Sequence, residues 1–253
     1  MNHTLSGIEL NTDLPSFALF ASNEGIIRNL VLDNMKFTDV NKKGGYGAFL
    51  CARNVGQIYN CFVKNSSMTT ANKNMSALVG VNISSGKVYN CGIEKCRMYH
   101  FDKLLVHSAG LVYYNMGSLF NSYVYILDIE RGSLLCFINE RYIGNCYTYT
   151  LSKEIHVDAI CNTNINPFST IVNVYFQSGF NKGISTEKTS VTKVIKYDSR
   201  TFKTVGGTSN DYLWKGLNLW LEDNKSDLTR YCTYRWMPEI ETDRPIIDII
   251  DGR

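Results

Sequence analysis

The chain is predicted to be an all-β protein, a right-handed parallel β-helix (solenoid) of about six coils with a C-terminal helix-plus-strand capping segment. Three observations predict this. A cassette ending in asparagine recurs about every thirty residues, a small-apolar segment precedes each clear copy, and apolar residues alternate after it.

The cassette reads Asn23-Glu24-Gly25-Ile26-Ile27-Arg28-Asn29, then Asn54-Val55-Gly56-Gln57-Ile58-Tyr59-Asn60, Gly86-Lys87-Val88-Tyr89-Asn90, and Asn115-Met116-Gly117-Ser118-Leu119-Phe120-Asn121. Weaker copies end at Asn145 and Asn173; they lose the glycine but keep an aliphatic residue two places before the asparagine. The closing asparagines at 29, 60, 90, 121, 145 and 173 are spaced by 31, 30, 31, 24 and 28 residues. That is too long for a hairpin and suits one coil of three short strands and three bends.

Each element follows from the cassette. The segments Ala18–Ala21, Ala48–Cys51, Ala77–Gly80, Gly110–Tyr113 and Ala159–Cys161 are expected to stack as one parallel sheet. Asn29, Asn60, Asn90, Asn121, Asn145 and Asn173 are expected at a bend, where asparagine tolerates the left-handed conformation and its amide can bond the coils above and below. After each asparagine, positions plus one and plus three (Leu30 and Leu32, Cys61 and Val63, Cys91 and Ile93, Ser122 and Val124, Cys146 and Thr148, Val174 and Phe176) should face inward. Coils stacked about 4.8 Å apart turn Cys61 and Cys91 into rungs of a ladder with Cys146, too far apart for the ~3.8 Å Cβ separation of a disulfide. Free thiols are expected.

The repeats are assigned to residues 1–180 and the capping segment to 181–253. In the latter, Thr208-Ser209-Asn210-Asp211 reads as a helix start, and Leu213, Leu217, Trp220 and Leu221 recur at helical spacing over about 209–222. Tyr231–Trp236 reads as a strand and Asp243–Ile247 as an extended tail. A solenoid leaves an open end and unpaired strand edges, which such a segment is expected to cover.

Composition narrows the function. With 26 Lys plus Arg against 23 Asp plus Glu, net charge gives no footprint for nucleic acid. No apolar run reaches the ~20 residues that span a bilayer, so this chain is not expected to insert in a membrane, and no basic, apolar signal segment opens it. The eight cysteines contain no CxxC pair. His100 and His107 flank the insertion 101–106, but their spacing matches no metal signature, and GxSxG and phosphate-loop motifs are absent. No catalytic residue, metal ligand or cofactor is therefore assigned.

Ala77-Leu78-Val79-Gly80-Val81-Asn82 leading to Gly86-Lys87-Val88-Tyr89-Asn90-Cys91, and Gly110-Leu111-Val112-Tyr113-Tyr114-Asn115 leading to Gly117-Ser118-Leu119-Phe120-Asn121-Ser122, resemble GLUG-motif repeats. The likeness covers about residues 5 to 177. Residues 202–246 are more loosely similar to the segment that often follows such repeats. The resemblance implies a bacterial, secreted or cell-surface, adhesin-like β-solenoid without catalytic residues. His3–Leu10 resembles the middle of a family coil, which implies that the chain belongs to a longer polypeptide and accounts for the missing signal segment.

Two outward aromatic stripes are the candidate ligand-binding residues: Tyr59, Tyr89 and Phe120 before the bend, and Phe62, Tyr123, Tyr147 and Tyr175 after it. Exposed rows suit sugar rings or a partner protein; the alternative is that the rings pack on each other or lie under loops. Asp33, Lys64 and Glu94 alternate in sign on successive coils and suit salt bridges, while Asp128 and Glu130 share one side of a strand. The expected function is a non-catalytic module presenting a flank to a host or bacterial glycan or a surface protein. The alternatives are a polysaccharide lyase or hydrolase, by fold analogy alone, or a structural stalk.

Overall fold

In the computed structural model, which describes residues 2–41, 43–101, 106–151, 156–180, 183–187, 190–205, 211–224 and 234–249, strands about thirty residues apart pair in parallel. One coil runs through Tyr46–Ala48, Cys51–Asn54, Gln57–Lys64 and Ser67–Thr70. The next runs through Asn74–Ser76, Val79–Asn82, Lys87–Tyr89 and Gly92–His100. Tyr46 faces Asn74, Cys51 faces Val79, Gln57 faces Lys87, Phe62 faces Gly92 and Ser67 faces Arg97. The chain is a parallel β-solenoid of about six turns, with sheets of five, seven and fourteen strands.

The fourteen-stranded sheet is folded along two columns of left-handed residues. Asn29, Asn60, Asn90, Asn121, Asn145 and Asn173 all have φ between 48° and 56°. Five places later Asn34, Asn65, Lys95 and Ile126 repeat the conformation, which turns the wall a second time. That second bend divides these four coils further than three strands and three bends. The small-apolar segments also differ from expectation, because each straddles a corner: Ala48 ends a strand of the five-stranded sheet and Cys51 begins one of the seven-stranded sheet. Phe49 and Leu50, between them, are fully buried.

Interior columns match the period-two reading. Ile58, Val88, Leu119, Ile143 and Ile171 form one buried row, and Cys61, Cys91, Ser122, Cys146 and Val174 another. Each fully buried aliphatic side chain contributes about 1.5–3 kcal/mol, so the rows dominate cohesion.

The asparagine column is hydrogen-bonded in two runs, Asn29 with Asn60 and Asn90 through Asn173, and Asn60 Oδ1 has no partner between them. Asn60 donates to Asn29 at 2.6 Å, Asn121 to Asn90, Asn145 to Asn121 at 2.8 Å, and Asn173 to Asn145 at 2.7 Å. A second ladder, which the sequence reading did not single out, joins Asn23, Asn54, Asn82, Asn115, Asn139 and Asn164 through Nδ2-to-Oδ1 bonds of 2.7–2.9 Å. It marks the end of six of the seven strands of the seven-stranded sheet. Its signal was present in Asn23, Asn54 and Asn115, which open three of the cassettes.

All seven described cysteines are free and buried; Cys232 lies outside the described residues. Burial raises the Cys51 thiol from an ordinary 9.0 to about 11, and Cys96 and Cys146 to about 12. These thiols are predicted to resist an aromatic disulfide reagent at pH 8 until denaturant is added; rapid native modification of Cys61 or Cys91 would contradict the stacking. Because the folded state raises these pKa values, their stabilisation is present below about pH 9 and is lost as pH rises toward 11–12.

The solenoid runs past the expected boundary at 180. Ile184–Glu187 pairs parallel with the strand holding Cys161–Asn164, and Ser190–Asp198 with Thr170–Gln177. Lys203–Thr204 then adds antiparallel to the edge of that last strand. The helix spans Leu213–Asp223 and buries Leu213, Leu217 and Trp220. Tyr212 occupies its N-cap without a side-chain cap bond, and the expected start at Thr208–Asn210 lies outside the described residues. Tyr234–Pro238 and Pro245–Ile249 form an antiparallel hairpin, so the extended tail is a paired strand.

Candidate binding site

The helix and hairpin lie along the solenoid's outer flank, where a covering for its open end was expected. What draws them there is the stripe after the bend. Phe62, Tyr123, Tyr147 and Tyr175 do point outward, but all are buried in one cluster with Tyr197, Phe202, Leu213, Leu217 and Trp236. Trp236, 1% exposed, meets the edges of Tyr123 and Tyr147 at ring distances of 6.1 and 5.6 Å. A column of aromatics is too apolar to leave bare, and the chain covers it with its own C-terminal segment.

Polar bonds fix that docking. The Trp236 indole N–H donates to Asn121 Oδ1 at 2.6 Å, tying the hairpin to the asparagine ladder, and the Tyr147 hydroxyl donates to the Pro245 carbonyl at 2.7 Å. Asn218 of the helix exchanges two 2.8 Å bonds with the Trp236 backbone. Arg244 lies 4.0 Å over the Tyr125 ring, bonds both Glu239 oxygens at 3.0 Å, and approaches Glu94 at 3.8 Å. Glu94 also receives the Tyr123 hydroxyl and pairs with Lys64 at 3.2 Å. Asp33 instead accepts from Asn65, at 2.8 Å. The expected salt-bridge column is thus partly a clamp on the hairpin.

The stripe before the bend is likewise a stack: Tyr59 and Tyr89 lie 5.0 Å apart, and Tyr89 and Phe120 also 5.0 Å, with Tyr89 and Phe120 buried. Neither stripe is an open aromatic platform. The packing alternative describes both, because rings 5 Å apart gain more from one another than from water.

The remaining charged candidates are also engaged. Tyr99 donates to Asp128, and burial together with that carboxylate raises its phenol to about 12. His100 Nε2 lies 3.1 Å from the Lys73 carbonyl, while His107 stacks on Phe137 at 4.4 Å; burial pulls both imidazoles below their ordinary 6.5. Asp102 lies outside the described residues. Among the described residues no three His, Cys, Asp or Glu side chains converge on a metal position. A buried ion pair that the repeat pattern did not reveal joins Lys73 to Asp39 at 3.5 Å, both fully buried. Burial raises the Asp39 carboxyl despite the ammonium beside it, and Lys73 also donates to the carbonyls of Asn41 and Lys43, pinning that corner.

An open site remains at the C-terminal end of the flank. A groove of about 460 Å³ runs between the last two coils and the helix, with Tyr175, Ile195 and Trp220 in its floor, and Lys193, Asp211, Lys215 and Asp223 at its rim. Val205 and Leu219, 49% and 59% exposed, open onto it. Gly216 lets the helix approach this closely, since a Cβ there would lie 2.4 Å from the Tyr175 hydroxyl. Lys215 and Asp211 pair at 3.7 Å, and Lys203 and Lys215 stand 4.7 and 5.9 Å over the Tyr212 ring. The repeat pattern could not reveal this groove, because its walls are non-repetitive. No family model, no curated protein and no solved structure matches this chain.

Proposed function

We propose that the chain is a non-catalytic, adhesin-like binding module of the GLUG-repeat kind, acting outside the cell or at its surface and presenting a solenoid flank to a glycan. The observation that carries this reading is the groove between the last coils and the helix, where apolar side chains stand exposed within a charged rim. That combination suits a ligand with both an apolar face and polar groups.

The arrangement of acids supports binding over cleavage. Glu94, Glu239, Asp128 and Asp39 are each held by a partner from the chain itself. In the groove, Asp211 precedes the helix and Asp223 ends it. Ten helical steps separate Leu213 from Asp223, about 15 Å at 1.5 Å each, beyond the ~5–9.5 Å between the carboxyls of glycoside hydrolases. Among the described residues no helix is long and apolar enough to cross a membrane.

The test is a polysaccharide panel read two ways, as retention on immobilised glycan and as chain length after prolonged incubation. Retention with unchanged chain length is the expected result. Depolymerisation, or no retention on any glycan, would overturn the reading.

A further inference from the structure

We propose that the groove between the last coils and the helix holds an acidic sugar residue, whose carboxylate is taken by Lys193 and whose apolar ring face lies on Leu219 and Val205. This rests on the glycan-binding reading above and names the site and the class of sugar.

Lys193 is the reason for choosing a carboxylate. Val172 faces Thr192 and Val174 faces Val194, which puts Lys193 in the column that the preceding coil gives to Asn173. Its φ of 53° is the left-handed conformation of that column. Asparagine accepts this backbone readily because its short amide bonds locally, whereas a lysine gains no such relief. Its side chain is exposed on the groove and makes no ion pair with a described residue. Lys215, by contrast, is neutralised by Asp211. Lys95 shows that a lysine can hold such a bend, and what sets Lys193 apart is that its ammonium stands on the groove without an ion-pair partner among the described residues.

The rest of the groove selects a sugar over a peptide. An extended peptide would add to the edge of the last strand, and there the chain's own Lys203–Thr204 already pairs with Tyr197–Asp198 and Val205 N–H donates to the Lys196 carbonyl at 2.9 Å, which leaves only Ser190–Ile195 for such an addition. A pyranose needs no strand edge. Its C–H face can rest on Leu219 and Val205 while its hydroxyls reach the Asp223 carboxylate, one helical turn from Leu219. The volume of about 460 Å³ lies within the ~300–1,000 Å³ of small-molecule sites.

The test is titration calorimetry of the full chain with an oligogalacturonate, a neutral oligosaccharide of the same length, and an acidic peptide. Oligogalacturonate is expected to bind most tightly, and more weakly as salt is added. Lys193→Asn is the informative variant. It supplies the residue that the ladder uses elsewhere, so its thermal midpoint should hold or rise, while affinity for oligogalacturonate falls at least tenfold. Leu219→Asp should cause a similar loss. Equal binding of the neutral sugar, tighter binding of the peptide, or unchanged affinity in a folded Lys193→Asn protein would each overturn the proposal. Binding to other glycans with the groove variants unaffected would remove this site yet leave the module a glycan binder.

Discussion

Asn121→Ala is predicted to destabilise the protein by about 4 kcal/mol, among the largest single-residue effects in the molecule. Asn121 donates to Asn90 and accepts from both Asn145 and the Trp236 indole. Removing it forfeits bonds of about 1 kcal/mol each and leaves buried partners unsatisfied at about 1–3 kcal/mol apiece. Alanine must also adopt φ of 48°, which costs about 1–2 kcal/mol more for a residue with a Cβ. Asn121→Gly isolates that last term, since glycine takes the backbone without strain, and should recover about 1 kcal/mol. Urea denaturation of the three proteins checks both numbers. A loss below about 1 kcal/mol in the alanine variant would mean that the ladder is ornamental.

Trp236→Ala is predicted to cost about 3–5 kcal/mol, the usual range for deleting a large buried aromatic, and to release the C-terminal segment before the solenoid. The indole fills the contact with Tyr123 and Tyr147 and supplies the bond to Asn121. Without it, Arg244, Asn218 and the Tyr147–Pro245 bond must hold the hairpin. Limited proteolysis should then cut between the last coil and the helix, leaving a protected solenoid fragment, and the bared tyrosines should bind an apolar dye. A cleavage pattern identical to the wild type would show that the hairpin is held by other contacts.

How far each feature could be read depended on whether it repeats. The coil length and the inward Cys61, Val63, Cys91 and Ile93 were legible because a column is written once per turn. So was the left-handed asparagine bend, and the same periodicity also held the ladder from Asn23 to Asn164. The aromatic stripes were placed on the correct outward side, but their exposure was not readable. Phe62, Tyr123, Tyr147 and Tyr175 are covered by residues more than thirty positions beyond the last of them, including Leu213, Leu217 and Trp236. Helical spacing identified the apolar face of Leu213–Asp223 without naming what it would meet.

What the residues determined unaided is the winding: apolar alternation and a bend-tolerant asparagine once per turn admit few structures other than stacked parallel coils. Only tertiary structure decided which outward surface stays wet. A solenoid's flank is equally available along its length, and the final fit of Trp236 against Asn121 and the tyrosines chose where the C-terminal segment lies. That choice buried one stripe of aromatics and opened the groove beside Lys193, because helix and coil meet there without a repeat to fill the space between them.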